Sequence, residues 1–470
     1  MRRKLIAIFS MITILTINLI WTSPISVSAK EKWPSGPSVF AESAIVMEAS
    51  TGLVLYQKNM NTEHYPASIT KIMTVLLALE NSSPGDIVTV SHKAVYDVEA
   101  DSSRIWINEG EKLTMQQCLY GILLESANDC AYAVAEHISG NIQDFAKLMT
   151  AKAKSLGCKN TNFMNPHGLQ DDNHYTSAYD MALIAREALK NESFVKIFST
   201  KVYQIPPTNK QKEIRYLRNH HKILMRNGYS YDGIVGGKTG YTSTSKYTLV
   251  TVAKRGDMEL ICVILKDDSA KNQYNDSERL LDFGFNNFST HSISDTEGTS
   301  SLNESPLFTR YNPILSSADS PVETDKDAFV VLPNSVSIKD AQRDVTFYTE
   351  SQNNTPATNT KEDSKVIGKI SYTYQGKYVG GTNILYKDTT LPTLIKSDTI
   401  TKNPATPNSK TTPVKSSLRY IIIGSILGFI VIGIVVYYII VERPRLKRRK
   451  AYYKKKSTRG SHKDNDFMNL

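Results

Sequence analysis

Apolar, β-rich residues fill two short runs, Ala44–Glu48 and Leu53–Gln57, with Ser50-Thr51-Gly52 between them. Two such runs on either side of a turn read as a β-hairpin. The pattern then changes. Apolar residues recur at spacings of three and four over Ile69–Glu80, Thr114–Glu125, Asp129–Ile138, Asn141–Leu156 and Ser177–Lys190. That spacing puts them on one face of a helix. β-rich text returns at Lys201–Ile205, Gly233–Lys238, Thr248–Lys254 and Leu260–Lys266, and a last helix covers Asn275–Gly284. Strands at both ends with helices between them predict an α+β domain over residues 36–289, an antiparallel sheet with helices packed on it.

Residues 290–325 are rich in Ser, Thr, Asn and Asp and lose all period, as a connection does. Four β-rich runs, Ala328–Leu332, Val345–Thr349, Val366–Tyr374 and Tyr378–Tyr386, predict a small β domain over 326–388, with 352–363 as an exposed loop. Residues 389–417, rich in Thr, Pro, Lys and Ser, read as an extended stalk. Next come 22 uncharged residues, 420–441, followed at once by Arg443, Arg445 and Lys447 through Lys450. A helix of that length crosses a ~30 Å hydrocarbon core. Positive charge stays on the cytoplasmic side, so a single transmembrane helix is expected, with 442–470 as a cytoplasmic tail and the rest outside the cell. Arg2-Arg3-Lys4, the apolar run to Trp21 and the small residues Val27-Ser28-Ala29 predict an export signal over 1–29.

Composition changes this picture little. The net charge of +10 sits at the ends: residues 442–470 hold eleven Lys and Arg against three Asp and Glu, and the N-terminus adds three more cations. A nearly neutral body excludes nucleic acid as a partner, because that partner needs a basic patch on the fold. Four cysteines without C-x-x-C spacing exclude redox or zinc motifs. No H-E-x-x-H and no phosphate-binding loop occurs, so neither a metal nor a cofactor is expected. His167, His220 and His221 have no metal-ligand spacing, and His167 reads as a residue that orders a loop.

Three patterns carry candidate chemistry. The first is Ser68-Ile69-Thr70-Lys71, at the start of the most apolar helix. A Ser there is an ordinary helix cap. With Lys71 one turn on, the amine lies beside the hydroxyl and can take its proton once burial has lowered the amine's pKa. A second S-x-x-K, Ser193 to Lys196, opens no long apolar helix and reads as surface. The second pattern is Ser126-Ala127-Asn128, between two helices: a helix break, or a hydroxyl that relays a proton and an amide that holds a substrate carbonyl. The third is Lys238-Thr239-Gly240, preceded by Gly236-Gly237. Lys and Thr beside a glycine gap suit a carboxylate.

In this order the three resemble the signature of penicillin-binding proteins and serine β-lactamases. The surrounding text resembles the D-alanyl-D-alanine carboxypeptidases among them: Pro66-Ala67-Ser68-Ile69-Thr70-Lys71, Glu125-Ser126-Ala127-Asn128-Asp129, Asn165-Pro166-His167-Gly168, Gly237-Lys238-Thr239-Gly240-Tyr241-Thr242, and the closing helix Ser277–Gly284. The resemblance implies the penicillin-binding-protein fold with a helical subdomain. It also implies removal of the terminal D-alanine from peptidoglycan stem peptides, with β-lactams as covalent inhibitors. Ser68 would be the nucleophile, Lys71 the base and Ser126 the proton relay. Asn128 would contact the peptide backbone, and Lys238, Thr239 and Gly240 would frame the carboxylate site. The N–H groups of Ser68 and Tyr241 would form the oxyanion hole. Two alternatives stay open from sequence: a class A-like β-lactamase, disfavoured because no E-x-x-L-N text lies between Asn128 and Lys238, and a catalytically silent wall-binding relative.

Overall fold

The computed structural model describes residues 33–294, 322–348, 364–387, 443 and 445–451 of the 470. Its centre is a five-stranded antiparallel sheet of β1 (Ser43–Glu48), β2 (Val54–Lys58), β3 (Ile234–Thr242), β4 (Lys246–Arg255) and β5 (Met258–Asp267), in the spatial order β2-β1-β5-β4-β3. The chain ends of the domain therefore meet side by side, with Ala44 opposite Ile264. Both faces are covered, so β4 is buried without a break over Thr248–Ala253 and β5 over Leu260–Leu265. Ile261, Val263 and Leu265 enter one core, and Leu260, Cys262 and Ile264 enter the other.

On the first face lie α1 (Lys71–Asn81), α2 (Met115–Leu124), α3 (Asn128–Ser139), α4 (Ile142–Ser155), α5 (Ala178–Leu189) and α6 (Glu192–Phe198). The second face is closed by α7 (Ala270–Asn287), through Leu280, Leu281 and Phe283. Helix α1 is buried on every side from Lys71 to Ala78, as a central helix must be. Lys71 is the one charged residue in that buried stretch. Two short ladders edge the helical side: Ile87–Thr89 with Lys112–Thr114, neither strand of which the period reading gave, and the expected strand at Val202–Ile205 with an unexpected partner, Arg215–Arg218.

The expected strand and helix bounds shift where the site is built. The helix expected from Ile69 opens with a 3-10 turn, Ala67–Thr70. The strand expected to stop at Lys238 continues to Thr242, so Lys238-Thr239-Gly240 lies inside the edge strand β3. A second sheet follows, built from β6 (Phe288–Ser292), β7 (Val322–Thr324), β8 (Phe329–Pro333), β9 (Gln342–Phe347), β10 (Ser364–Tyr374) and β11 (Lys377–Lys387). Its order is β6-β8-β11-β10-β9, with β7 on β11. Strand β6 falls inside text that reads as a connection, and it leaves α7 without a break. The two sheets share one core, in which Phe283 and Phe288 join Val330, Val331 and Leu332.

One expectation is corrected. Among the described residues no helix is long and apolar enough to cross a membrane. The single-pass anchor over 420–441 is therefore withdrawn, and with it the assignment of an extracellular catalytic domain and a cytoplasmic tail. The apolar run itself lies outside the described residues, as do the expected export signal, the stalk and the loop over 352–363. What is described next to the run is helix at 443 and 445–451, mostly cationic and exposed. An apolar run meets the length condition for a span; it does not by itself supply the helix.

Candidate active site

Ser68 sits in the 3-10 turn that leads into α1, and its side chain caps neither helix. The turn is held from two sides. Thr248 on β4 donates through its hydroxyl to the Pro66 carbonyl at 2.8 Å. On β3, a Cβ at Gly240 would stand 2.8 Å from the Ser68 nitrogen and 2.3 Å from Thr248 Oγ1. On the opposite side, a Cβ at Gly168 (φ +87°) would stand 1.9 Å from the Ala67 carbonyl oxygen. Only glycine allows either approach. Ala67 itself has φ +49°, a conformation that costs a non-glycine residue energy and persists because the surroundings fix it.

Lys71 has no solvent exposure. Its Nζ lies 2.6 Å from Asn128 Oδ1, 2.6 Å from the His167 carbonyl and 3.1 Å from Ser68 Oγ. Burial pushes its pKa well below the usual lysine value and the Lys238 charge adds to this, while Asp129 opposes it. A neutral amine has two hydrogens and one lone pair. The two carbonyl oxygens at 2.6 Å accept the hydrogens, which leaves the lone pair for the Ser68 hydroxyl. Since Lys71 can only donate to it, the Asn128 carbonyl is occupied. The Asn128 NH2 group is free of that contact and can donate to a substrate carbonyl.

Ser126 stands in the break between α2 and α3 with φ +60°. Its Oγ accepts from Lys238 Nζ at 3.1 Å, and Lys238 also donates to the Thr239 carbonyl at 2.8 Å. Lys238 is buried, and burial brings its pKa down to about 7. The break is anchored from beneath: Asn128 N–H donates to the Ser103 carbonyl at 2.8 Å, and the Asp129 carboxylate accepts from the N–H groups of Ile105 and Ile107.

Ser68, Ser126, Asn128, Thr239, Gly240 and Tyr241 line one groove of about 650 Å³. The other two candidates, Lys71 and Lys238, lie buried directly behind them, so the structure gathers all eight. Tyr241 is exposed, its ring against Tyr247 at 4.6 Å. Ser193 and Lys196 of the second S-x-x-K are exposed on α6. His167 serves through its main-chain carbonyl, and its Nδ1 accepts from the Leu169 N–H at 3.2 Å. His221 is buried against Thr251, its pKa lowered to about 3 by burial and by Lys238. Sequence reading missed Ser103, Gln273 and Tyr274 and set His220 aside; all four also line the groove. They arrive from three separate places, and no local spacing marks them.

The family model described as D-alanyl-D-alanine carboxypeptidase, Peptidase S11, matches residues 30–269. The chain is 41% identical over 256 residues to the D-alanyl-D-alanine carboxypeptidase DacF of Bacillus subtilis (strain 168), covering 54% of this chain and 64% of that one. It is 31% identical over 373 residues to the D-alanyl-D-alanine carboxypeptidase DacA of Haemophilus influenzae, covering 77% and 88%. Among solved structures it is similar to penicillin binding protein 5 from Haemophilus influenzae, with a TM-score of 0.57 and 27% identity over 75% of this chain and 98% of that chain.

Proposed function

The chain belongs to the D-alanyl-D-alanine carboxypeptidase family of serine peptidases, and from that premise we propose that it removes the terminal D-alanine of peptidoglycan stem pentapeptides through an acyl-enzyme on Ser68. The observation that carries the assignment is the environment of Lys71, a buried amine that two carbonyls hold at 2.6 Å with Ser68 Oγ 3.1 Å away. The expected domain 36–289 is the catalytic unit in this reading.

The stem peptide adds to the free edge of β3, where main-chain groups of an edge strand accept an extended partner. Its terminal carboxylate meets the Lys238 ammonium and the Thr239 hydroxyl. Lys71 takes the Ser68 proton as Oγ bonds to the penultimate D-alanine's carbonyl carbon. The oxyanion is held by the N–H groups of Ser68 and Tyr241, brought together because residue 240 has no side chain. The C–N bond then breaks. Ser126, accepting from Lys238, donates its own hydrogen to the leaving amine and takes up the proton that Lys71 had gained, and D-alanine departs. Water attacks the ester, giving its proton to the neutral Lys71, which returns it to Ser68 Oγ as the acyl–oxygen bond breaks.

The test uses a fluorescent penicillin and a pentapeptide substrate. The wild-type chain takes up one label per molecule and releases D-alanine. Ser68→Ala loses the label and at least about 10³-fold of the release. A Ser68→Ala protein that still labels covalently overturns the assignment.

A further inference from the structure

Two segments run outward from the groove, and each ends in an exposed aromatic ring. The first starts at Ser103, which lines the groove. Asp129 fixes the N–H groups of Ile105 and Ile107, which turns those side chains into the core at 7% and 3% exposure. The alternate residue, Trp106, is left 70% exposed. The second segment runs back from His220, also in the groove, to the strand Arg215–Arg218, where Leu217 is buried and Tyr216 is 70% exposed. Arg215 ties the two segments together. Its Nη2 donates to the Trp106 carbonyl at 3.0 Å, while Nη1 and Nη2 hold the fully buried Glu111 carboxylate at 2.6 and 2.9 Å.

Trp106 also has φ +58°. That region disfavours a bulky side chain, and such strain persists where the surrounding structure imposes it, most often at functional sites. The Arg104 guanidinium lies 5.7 Å from the indole centre. Among the described residues, neither Trp106 nor Tyr216 stacks on another aromatic ring.

We propose that Trp106 and Tyr216 form a platform for a pyranose ring of the glycan strand that carries the stem peptide. The inference rests on the carboxypeptidase reading, because that substrate is a peptide hung from a sugar polymer. With the scissile bond at Ser68, the four residues that remain on the sugar side span on the order of 14 Å when extended. That is long enough to carry the sugar out of the groove to its lip. A pyranose has an apolar C–H face and a polar rim. Flat rings with polar handles match it, here the indole, the phenol and the Arg104 guanidinium.

The experiment compares D-alanine release by the full chain from a free pentapeptide and from polymeric, pentapeptide-rich peptidoglycan. It also measures co-sedimentation with glycan strands stripped of peptide. Trp106→Gly is the decisive variant, because glycine is at ease at φ +58° and misfolding is then no explanation for a loss. Trp106→Gly and Tyr216→Ala are each expected to lower kcat/KM on the polymer about 5- to 10-fold, to leave the free peptide within twofold, and to lose co-sedimentation. Trp106→Phe should recover most of the polymer rate. Equal losses on both substrates, or none on the polymer, overturn the platform while the carboxypeptidase reading stands. A wild-type chain inactive on the free peptide overturns that reading and the platform with it.

Discussion

Lys71 and Lys238 are two buried amines serving one groove; burial lowers the proton affinity of both, and the Lys238 charge lowers that of Lys71 further. Lys71 acts as a base when neutral, so activity climbs as pH rises through its lowered pKa. Lys238 binds a carboxylate when charged, so free-enzyme affinity falls as pH passes about 7. A bell-shaped kcat/KM profile follows. Lys238→Gln removes a charge that disfavours protonated Lys71, so the acid limb should move to higher pH while KM rises. Stability runs the other way. A lysine whose folded pKa is lowered binds fewer protons folded than unfolded between the two values, so its destabilisation of the fold grows as pH falls through that window and is complete below the folded value. Lys238→Met should therefore raise the melting temperature at pH 7, by at least about 3 °C, while abolishing turnover. Calorimetry beside a D-alanine assay checks both halves. At this scale the sequence is legible where chemistry is local. Ser68 with Lys71, and Lys238 with Thr239, announce themselves by spacing. The His167 carbonyl does not, since any residue owns a carbonyl and only the fold decides which one Lys71 meets.

Elements explain why the motifs stand where they do. Strand β3 extends four residues past its expected end, because the apolar period that marks β4 and β5 fades in Lys238-Thr239-Gly240-Tyr241-Thr242 while main-chain pairing with β4 continues. The same pairing places Gly240 against Thr248 and the Ser68 turn. Gly240→Ala should cost at least about 10²-fold in acylation by penicillin, since a displacement near 1 Å at the reacting groups is that expensive; stopped-flow labelling measures it. The long helices are visible in sequence because their buried faces repeat over several turns. The ladders at Ile87–Thr89 and Arg215–Arg218 are invisible because three or four residues hold too little period to read. Strand β6 hides for another reason: Ser289, Thr290, His291 and Ser292 resemble a linker, and the pairing with β8 is what makes them a strand.

The whole molecule is held at its seams. Asp267, at the end of β5, and Asp276, in α7, have no solvent exposure, and each keeps one oxygen without a hydrogen-bond partner. Asp276 Oδ2 accepts from the N–H groups of Phe40 and Ala41, so the entry of the chain, the last strand of the first sheet and its closing helix converge there. Burial, with the charges of Asp276 and Asp268, raises the Asp267 pKa to about 6, against the pull of the Ser269 N–H. The folded state then holds a proton that the unfolded chain has already lost, so stability present below pH 4 drains away as pH rises through 6. Asp267→Asn should match the wild-type melting temperature near pH 4 and exceed it at pH 7. Hydropathy could foresee none of this.

The passage from α7 into β6 without a break has one more consequence. Trimming the gene after codon 289, where the text leaves the catalytic half, would sever β6 and remove Val330, Val331 and Leu332, which cover Phe283 and Phe288. Apolar surface bared in this way recruits other chains, so gel filtration of that fragment should return soluble clumps in place of a smaller enzyme.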